Sequence, residues 1–181
     1  LIGDAAFLRG TILLSEQKYE DAYQQFRIVA EQYVQSEFAP EAMYKMGECL
    51  AQLNRTDEAA NVFATFATTY PAHALVQEAI LRVGDAKFLG AKFSDAIAEY
   101  KRVLENAPDP VKEELTLYRL AVSYHNMQDF KSSAETFTTL LTKFPQTGHA
   151  AEAQVRIGYF YLGDGKDPVR AIESFQKALE L

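Results

Sequence analysis

The sequence is poor in cysteine, glycine and proline, has no tryptophan, and lacks long apolar runs. Its single cysteine, Cys49, cannot form an internal disulfide, and its place in a helical pattern predicts a buried thiol. With 9 glycines and 6 prolines in 181 residues, the chain has neither a collagen-like nor a low-complexity composition. No apolar run approaches the roughly 18 residues that predict a membrane-spanning helix.

An excess of positive charge is also absent, since 18 basic residues face 25 acidic ones and the net charge is −7. A duplex-binding surface needs a dense basic face, so this composition argues against nucleic acid as a partner. The histidines, His73, His125 and His149, form no short-range metal pair with one another or with Cys49. No nucleophile–base arrangement is visible either, and we expect no metal, no cofactor and no enzymatic activity.

What the chain does contain is a period of 37 residues. The first series of small residues is Gly10, Gly47, Gly84, Ala121 and Gly158. A second series lies twelve positions later, with its last member one residue late: Ala22, Ala59, Ala96, Ser133 and Ala171. Aromatic residues follow four positions after these: Phe26, Phe63, Tyr100, Phe137 and Phe175. A fixed period of this length is typical of a repeat array.

Within each unit, apolar residues at i, i+3, i+4 and i+7 predict two short helices. In the third unit a turn is expected at 90–92, and Ser94 and Asp95 are expected to cap the second helix. Asp167 and Pro168 are predicted as the N-cap and first residue of the last helix, after a turn that carries one extra residue. Unit ends are marked by Pro71, Pro108 and Pro145.

The order of these residues resembles that of the tetratricopeptide repeat (TPR). It consists of a small residue, alanine twelve positions later, an aromatic residue four positions after that and proline eight positions beyond. The resemblance covers the chain from about Gly3 to Leu181. It implies an all-α fold, namely an α-solenoid of five helix-turn-helix repeats (ten helices) wound as a right-handed superhelix. The chain is then one array, with repeats at approximately 3–39, 40–76, 77–113, 114–150 and 151–181. The sequence departs from the TPR pattern in two ways. Its unit is longer than the common 34 residues, and it lacks the tryptophan that is often found near the start of a TPR unit.

The longer unit, with its Tyr-Pro or Phe-Pro ending, is similar to that of bacterial envelope TPR proteins. These include proteins of the Tol-Pal-associated cell-division coordinator and outer-membrane assembly lipoprotein types. This resemblance implies a periplasmic location, or attachment to a membrane on its periplasmic side, with the cytoplasm as the alternative. Because the chain starts at Leu1 without methionine and stops at Leu181 within a helical pattern, we interpret it as a fragment.

In the TPR fold the first helices line a concave groove, and their sixth position here is mostly basic. The bases Lys45, Arg82, Arg119 and Arg156 could receive acidic side chains or a C-terminal carboxylate. The alternative is pairing on the surface, because Glu41, Glu78 and Glu152 each lie four residues before one of these bases. Leu115 takes that place before Arg119, which makes Arg119 the best candidate for a partner contact.

Aromatic and apolar residues accompany the bases and would suit docking of a peptide or helix. Tyr44 and Tyr118 occupy the fifth position, and Phe88 and His125 the twelfth. The alternative is that such residues bridge adjacent repeats. The candidate groove residues are thus Tyr44, Lys45, Arg82, Phe88, Tyr118, Arg119, His125 and Arg156.

These patterns predict a non-catalytic scaffold that binds a peptide or protein segment in the concave groove, within a bacterial envelope complex. The alternative is a structural solenoid segment of a larger protein, which sets geometry or self-associates end to end without a groove ligand. An accessory domain of an enzyme would need a catalytic region outside these residues. Tyr159, Phe160, Ile172 and Phe175 indicate that self-association could use the last repeat.

Overall fold

The computed structural model describes residues 2–106 and 109–181, which form ten α-helices and contain no β-strand. This confirms the expected all-α fold of helix-turn-helix repeats. Pro108, one of the expected unit ends, lies outside the described residues. The helices are α1 (Ile2–Ser15), α2 (Tyr19–Gln32), α3 (Ala39–Gln52), α4 (Thr56–Thr69), α5 (Val76–Leu89), α6 (Phe93–Glu105), α7 (Pro110–Asn126), α8 (Phe130–Lys143), α9 (Ala150–Leu162) and α10 (Pro168–Leu179).

The helices belong to two compact units, Leu1–Gly90 and Ala91–Leu181. In unit 1, α1 packs on α2, α2 on α3, α3 on α4 and α4 on α5. In unit 2, α6 packs on α7, α7 on α8, α8 on α9 and α9 on α10. Each unit is therefore a chain of helices that contact their sequence neighbours, as expected for stacked repeats.

The repeated small residues are buried because aromatic rings lie directly over them. A Cβ atom added at Gly10 would stand 2.8 Å from the Phe26 ring, and one added at Gly47 would stand 2.8 Å from the Phe63 ring. In the last repeat, a Cβ atom added at Gly158 would stand 2.6 Å from the Phe175 ring. Helices of about a dozen residues are marginal alone, so this close packing is what stabilises them.

The turns inside the repeats use a left-handed residue that is never glycine. Gln17, Asn54, Ala91 and Gln128 have φ of 58°, 58°, 56° and 63° and follow the 37-residue period. In the last repeat this conformation falls on Lys166 (φ 48°), one residue late. This confirms that the last turn carries one extra residue.

Side chains cap three of the helices, but not the one that the sequence indicated most directly. Asp109, Asp129 and Asp167 each accept a hydrogen bond from the backbone N–H three residues on, at 3.1 Å. The expected cap at Ser94 and Asp95 is wrong, because α6 already begins at Phe93 and has no side-chain cap. Asp95 instead lies in the first turn, where its charge faces the positive end of the helix dipole.

Three of the loops before a first helix share one hydrogen-bond pattern. Ser36 Oγ, His73 Nδ1 and Thr147 Oγ1 each accept from the backbone N–H two residues on, at 3.2, 3.2 and 3.3 Å. In two of these loops the residue so held stacks on the fifth-position ring of the preceding first helix. Phe38 stacks on Phe7 with ring centroids 4.7 Å apart, and His149 on Tyr118 at 3.7 Å. These two loops therefore position the fifth-position side chains Phe7 and Tyr118 at the junctions between repeats.

Candidate protein-binding surface

In unit 1 the predicted groove residues Lys45 and Arg82 are ion-paired along their own helices. Lys45 Nζ lies 3.7 Å from Glu41, and Arg82 Nη2 lies 3.1 Å from Glu78. Both pairs have the i, i+4 spacing that the sequence indicated, and the Arg82 side chain is 47% exposed. Phe88, in the last turn of α5, is half-buried and has interaction partners. The positive charges of Lys45 and Arg82 are therefore partly neutralised by the carboxylates of Glu41 and Glu78.

Tyr44 belongs to the core rather than to an open groove. Only 6% of the residue is exposed, and its ring lies 5.2 Å from Phe63 and 5.7 Å from Phe66. Its hydroxyl oxygen accepts a hydrogen bond from the Arg82 side chain. Burial, together with the nearby Glu78 carboxylate, raises the pKa of Tyr44 to about 12. Tyr44 is therefore buried against its own repeat and also lies close to Arg82 and Glu78 of the next one.

In unit 2 the same position forms a three-residue network from α7 to α9. The Tyr118 hydroxyl donates to Glu152 Oε2 at 2.8 Å, and Arg156 donates to Glu152 Oε1 from Nε and Nη2 at 2.9 and 2.7 Å. Burial and the Glu152 carboxylate raise the pKa of Tyr118. Burial also favours the neutral form of Glu152, but the bonds from Tyr118 and Arg156 outweigh it and lower the pKa of Glu152. Tyr118 is half-buried, so it both bridges repeats and reaches the surface.

Arg119 and His125 lie on the same helix, α7, and are both half-buried. Arg119 has an interaction partner, although Leu115 takes the place of an acidic residue four positions before it. The His125 ring meets Phe130 edge-on, with centroids 5.2 Å apart. Burial and the nearby Arg156 charge lower the pKa of His125.

His125 and Arg156 meet at a cleft of about 200 Å³ inside unit 2, which we name the α7–α9 cleft. It lies between α7, the start of α8, α9 and the turn after α9. Its lining residues are His125, Phe130, Ser133, Arg156, Tyr159, Phe160, Gly163 and Asp164. The cleft thus combines two of the predicted groove residues with three aromatic rings.

Sequence reasoning missed the aromatic wall of this cleft. Phe130 was not singled out, and Tyr159 and Phe160 were considered only as parts of an exposed end face. Tyr159, 63% exposed, follows Gly158, where the other repeats have Thr11, Glu48, Asp85 and Val122. An aromatic residue at a position that is polar or aliphatic in the other repeats was the signal that could have indicated this wall. Glu152 was noted only as a partner of Arg156, and its bond to Tyr118 could not be predicted from spacing along one helix.

The thiol and histidines show no arrangement for metal chemistry within the described residues, where no three His, Cys, Asp or Glu side chains converge. Cys49 is completely buried, as predicted. Burial, with a contribution from Glu48, raises the pKa of this thiol to about 11, so the unreactive protonated form dominates near neutral pH. In the described part of the chain, no helix combines the length and apolarity that crossing a bilayer requires.

Comparison with solved structures places the fold among TPR proteins. A crystal structure of MamA protein has a TM-score of 0.79 and 19% identity, covering 99% of this chain and 91% of that one. MamA residues 41 to the end from Desulfovibrio magneticus RS-1 give a TM-score of 0.75 and 21% identity, covering 99% and 94%. At this level of identity the likeness concerns the fold alone.

Sequence comparison gives the family. The outer membrane protein assembly factor BamD of Rickettsia prowazekii (strain Madrid E) is 23% identical over 160 residues. The match covers 76% of this chain but only 63% of that protein, so the chain spans less than two thirds of its relative. The YfiO outer membrane lipoprotein family matches residues 4–165, almost the whole helical array. This chain is a TPR-type helical repeat protein that belongs to the YfiO outer membrane lipoprotein family.

Proposed function

We propose that this protein is a non-catalytic scaffold, which binds a polypeptide segment of a partner on the exposed faces of its first helices. The observation that carries this proposal is the α7–α9 cleft, where aromatic rings and polar groups of two successive first helices converge. Aromatic residues and arginine are the residue types that most often dominate binding energy in protein interfaces. Lys45 and Arg82 are ion-paired along their own helices, so the cleft is proposed as the main contact and the exposed faces of the first helices as additional ones.

We also propose that the scaffold works in a bacterial envelope complex, on the periplasmic side of a membrane. Membership of an outer membrane lipoprotein family supports this location, and a relative named as an assembly factor supports a role in protein assembly. Arg82, exposed on α5, and Arg119, on α7, are proposed to contribute partner contacts through their helix faces. Phe88 is proposed to add apolar contact on α5.

The test is co-purification of partners with the full-length protein, compared between the wild type and an Arg82→Glu/Arg119→Glu variant. The first-helix variant should lose most of the captured partner because it places one negative charge on a first helix of each unit, where partner contacts are proposed. A matched control is Arg27→Glu/Lys131→Glu, which reverses two exposed charges on second helices. Equal recovery with the first-helix variant and with the wild type would contradict the proposal.

A second candidate function is self-association through the last repeat. Ile172 and Leu179 on α10 are 58% and 88% exposed, and Phe175 is only half-buried. An apolar helix face of this kind can drive association. Sedimentation of the wild type and of Ile172→Glu tests it, because a concentration-dependent oligomer should disappear in the variant. A monomer at every concentration would contradict it.

A further inference from the structure

We propose that the α7–α9 cleft holds one apolar side chain from the middle of a partner polypeptide, with the partner's backbone amide group hydrogen-bonded at the rim. This inference rests on the proposed scaffold function and names the chemistry that its binding site selects. The anchor is a large neutral side chain of the leucine or phenylalanine type, and its carrier is a continuous chain rather than a chain end.

The size and walls of the cleft indicate a single side chain. Its volume, about 200 Å³, is below the roughly 300 Å³ at which pockets for drug-sized ligands begin. Phe130, Tyr159 and Phe160 supply aromatic surface from two helices, namely the start of α8 and two adjacent positions of α9. A buried apolar group is the occupant that such walls stabilise, because it leaves water without losing hydrogen bonds.

The polar groups at the cleft have spare hydrogen-bonding capacity. Arg156 uses two of its five N–H donors on Glu152 and has no other hydrogen bond within the described residues. The ring nitrogens of His125 bond to no group of residues 2–106 or 109–181, and Asp164 forms no ion pair there. Donors from arginine and histidine beside a carboxylate acceptor match the C=O and N–H of a peptide backbone.

The charge balance argues for a neutral segment rather than a partner carboxylate. Glu152 already offsets the Arg156 charge, and Asp164 adds a second negative charge at the cleft. The environment also lowers the pKa of His125, so the ring is mainly neutral near pH 7. A carboxylate in the cleft would therefore face more negative than positive charge, whereas a peptide group would meet both a donor and an acceptor.

Small capped amino acids test this directly on the intact protein by nuclear magnetic resonance. The probes are N-acetylphenylalanine N-methylamide, its alanine analogue, and N-acetylphenylalanine with a free carboxylate. We expect the first probe to shift the His125, Tyr159 and Gly163 signals saturably. The alanine analogue should bind about tenfold more weakly because a methyl group leaves most of the cleft unfilled. Tighter binding of the free acid would identify an anion site and overturn the proposal, as would the absence of saturable shifts at the cleft.

Two variants separate the cleft from the rest of the last repeat. Tyr159→Ala removes an exposed wall of the cleft and should weaken the phenylalanine probe about fivefold, whereas Ile172→Ala, equally exposed on α10, should leave it unchanged. Asp164→Asn, on the exposed turn, should also weaken binding of the phenylalanine probe. Because asparagine has nearly the same size as aspartate, this second variant changes the charge without removing a packing contact. Unchanged probe binding in both cleft variants would overturn the proposal.

The cleft and the scaffold function can fail separately. Partner capture that persists while the phenylalanine probe does not bind would overturn the cleft assignment alone. Probe binding at the cleft, with no partner lost in the Arg82→Glu/Arg119→Glu variant, would instead contradict the proposed first-helix function.

Discussion

The Tyr118 hydroxyl on α7 donates a 2.8 Å hydrogen bond to Glu152 on α9, and so joins two successive first helices. Glu152 in turn accepts two hydrogen bonds from Arg156. In unit 1, Tyr44 bonds to Arg82, which pairs with Glu78 at 3.1 Å. The same three residue types thus tie first helices together in both units. Two of the sixth-position bases, Arg82 and Arg156, therefore take part in contacts within the protein.

Replacing Tyr118 by phenylalanine tests this tie. Tyr118→Phe removes the hydroxyl and leaves Glu152 with one bond fewer, so we expect a loss of about 1 kcal/mol in the free energy of unfolding. Urea unfolding measures it. Tyr159→Phe is the matched control, since the Tyr159 side chain is exposed and its hydroxyl bonds to no described residue. A loss as large in the control as in Tyr118→Phe would contradict the assignment.

The repeated aromatics should differ in importance along the chain. Phe63 is 2% exposed and Phe137 completely buried, whereas Phe175 is half-buried. Truncation of Phe63 or Phe137 to alanine should cost roughly 3–5 kcal/mol because a closed cavity is left behind. Phe175→Ala should cost clearly less, since solvent already reaches its ring. Equal losses for Phe63 and Phe175 in urea unfolding would refute this order.

Much of this fold could be predicted from the sequence because one physical requirement repeats. Gly10, Gly47 and Gly158, each opposite an aromatic ring, show the same close helix approach. Helix starts are less predictable. Ser94 and Asp95 have the residue types of a cap, yet α6 already begins at Phe93, two residues after the left-handed Ala91.

The left-handed turns offer a stabilising substitution. Gln128 has a φ of 63°, a region that is unfavourable for a residue with a Cβ atom and open to glycine. We expect Gln128→Gly to raise the free energy of unfolding by about 0.5–1 kcal/mol. Met127→Gly is the control, because Met127 has a φ of −81° and glycine there should destabilise. Stabilisation by both variants, or by neither, would be inconsistent with this account.

His125 should make stability depend on pH. Burial and Arg156 lower its pKa below the ordinary value of 6.5 in the folded protein, so the unfolded chain takes up this proton first. Its contribution is therefore complete above pH 6.5 and is lost as the pH falls towards the lowered folded value. Glu152, with a lowered pKa, loses its contribution only in a more acidic range, below 4.5.

His125→Gln should flatten the stability profile between about pH 7 and about pH 5, where the wild type declines. Thermal or urea unfolding across this range measures the effect. A variant that declines as steeply as the wild type would show that other groups cause the change.

The binding surface was less predictable than the fold, because its geometry depends on contacts between repeats. Spacing along one helix correctly indicated that Glu152 and Arg156 form an ion pair. It could not show that Tyr44 is buried between Phe63 and Phe66, nor that Phe130 and Tyr159 lie beside His125. Those relations arise only when neighbouring helices are packed together.

Position-resolved photo-crosslinking of the full-length protein in its native cells tests most directly whether partners bind the first helices. A photoreactive residue is placed at Arg82 or Tyr159 on first helices, and in separate variants at Asn61 or Thr139 on second helices, all at exposed positions. Our account predicts crosslinked partner species from the first-helix positions and none above background from the second-helix positions. Crosslinks from Asn61 or Thr139, with none from Arg82 or Tyr159, would contradict it.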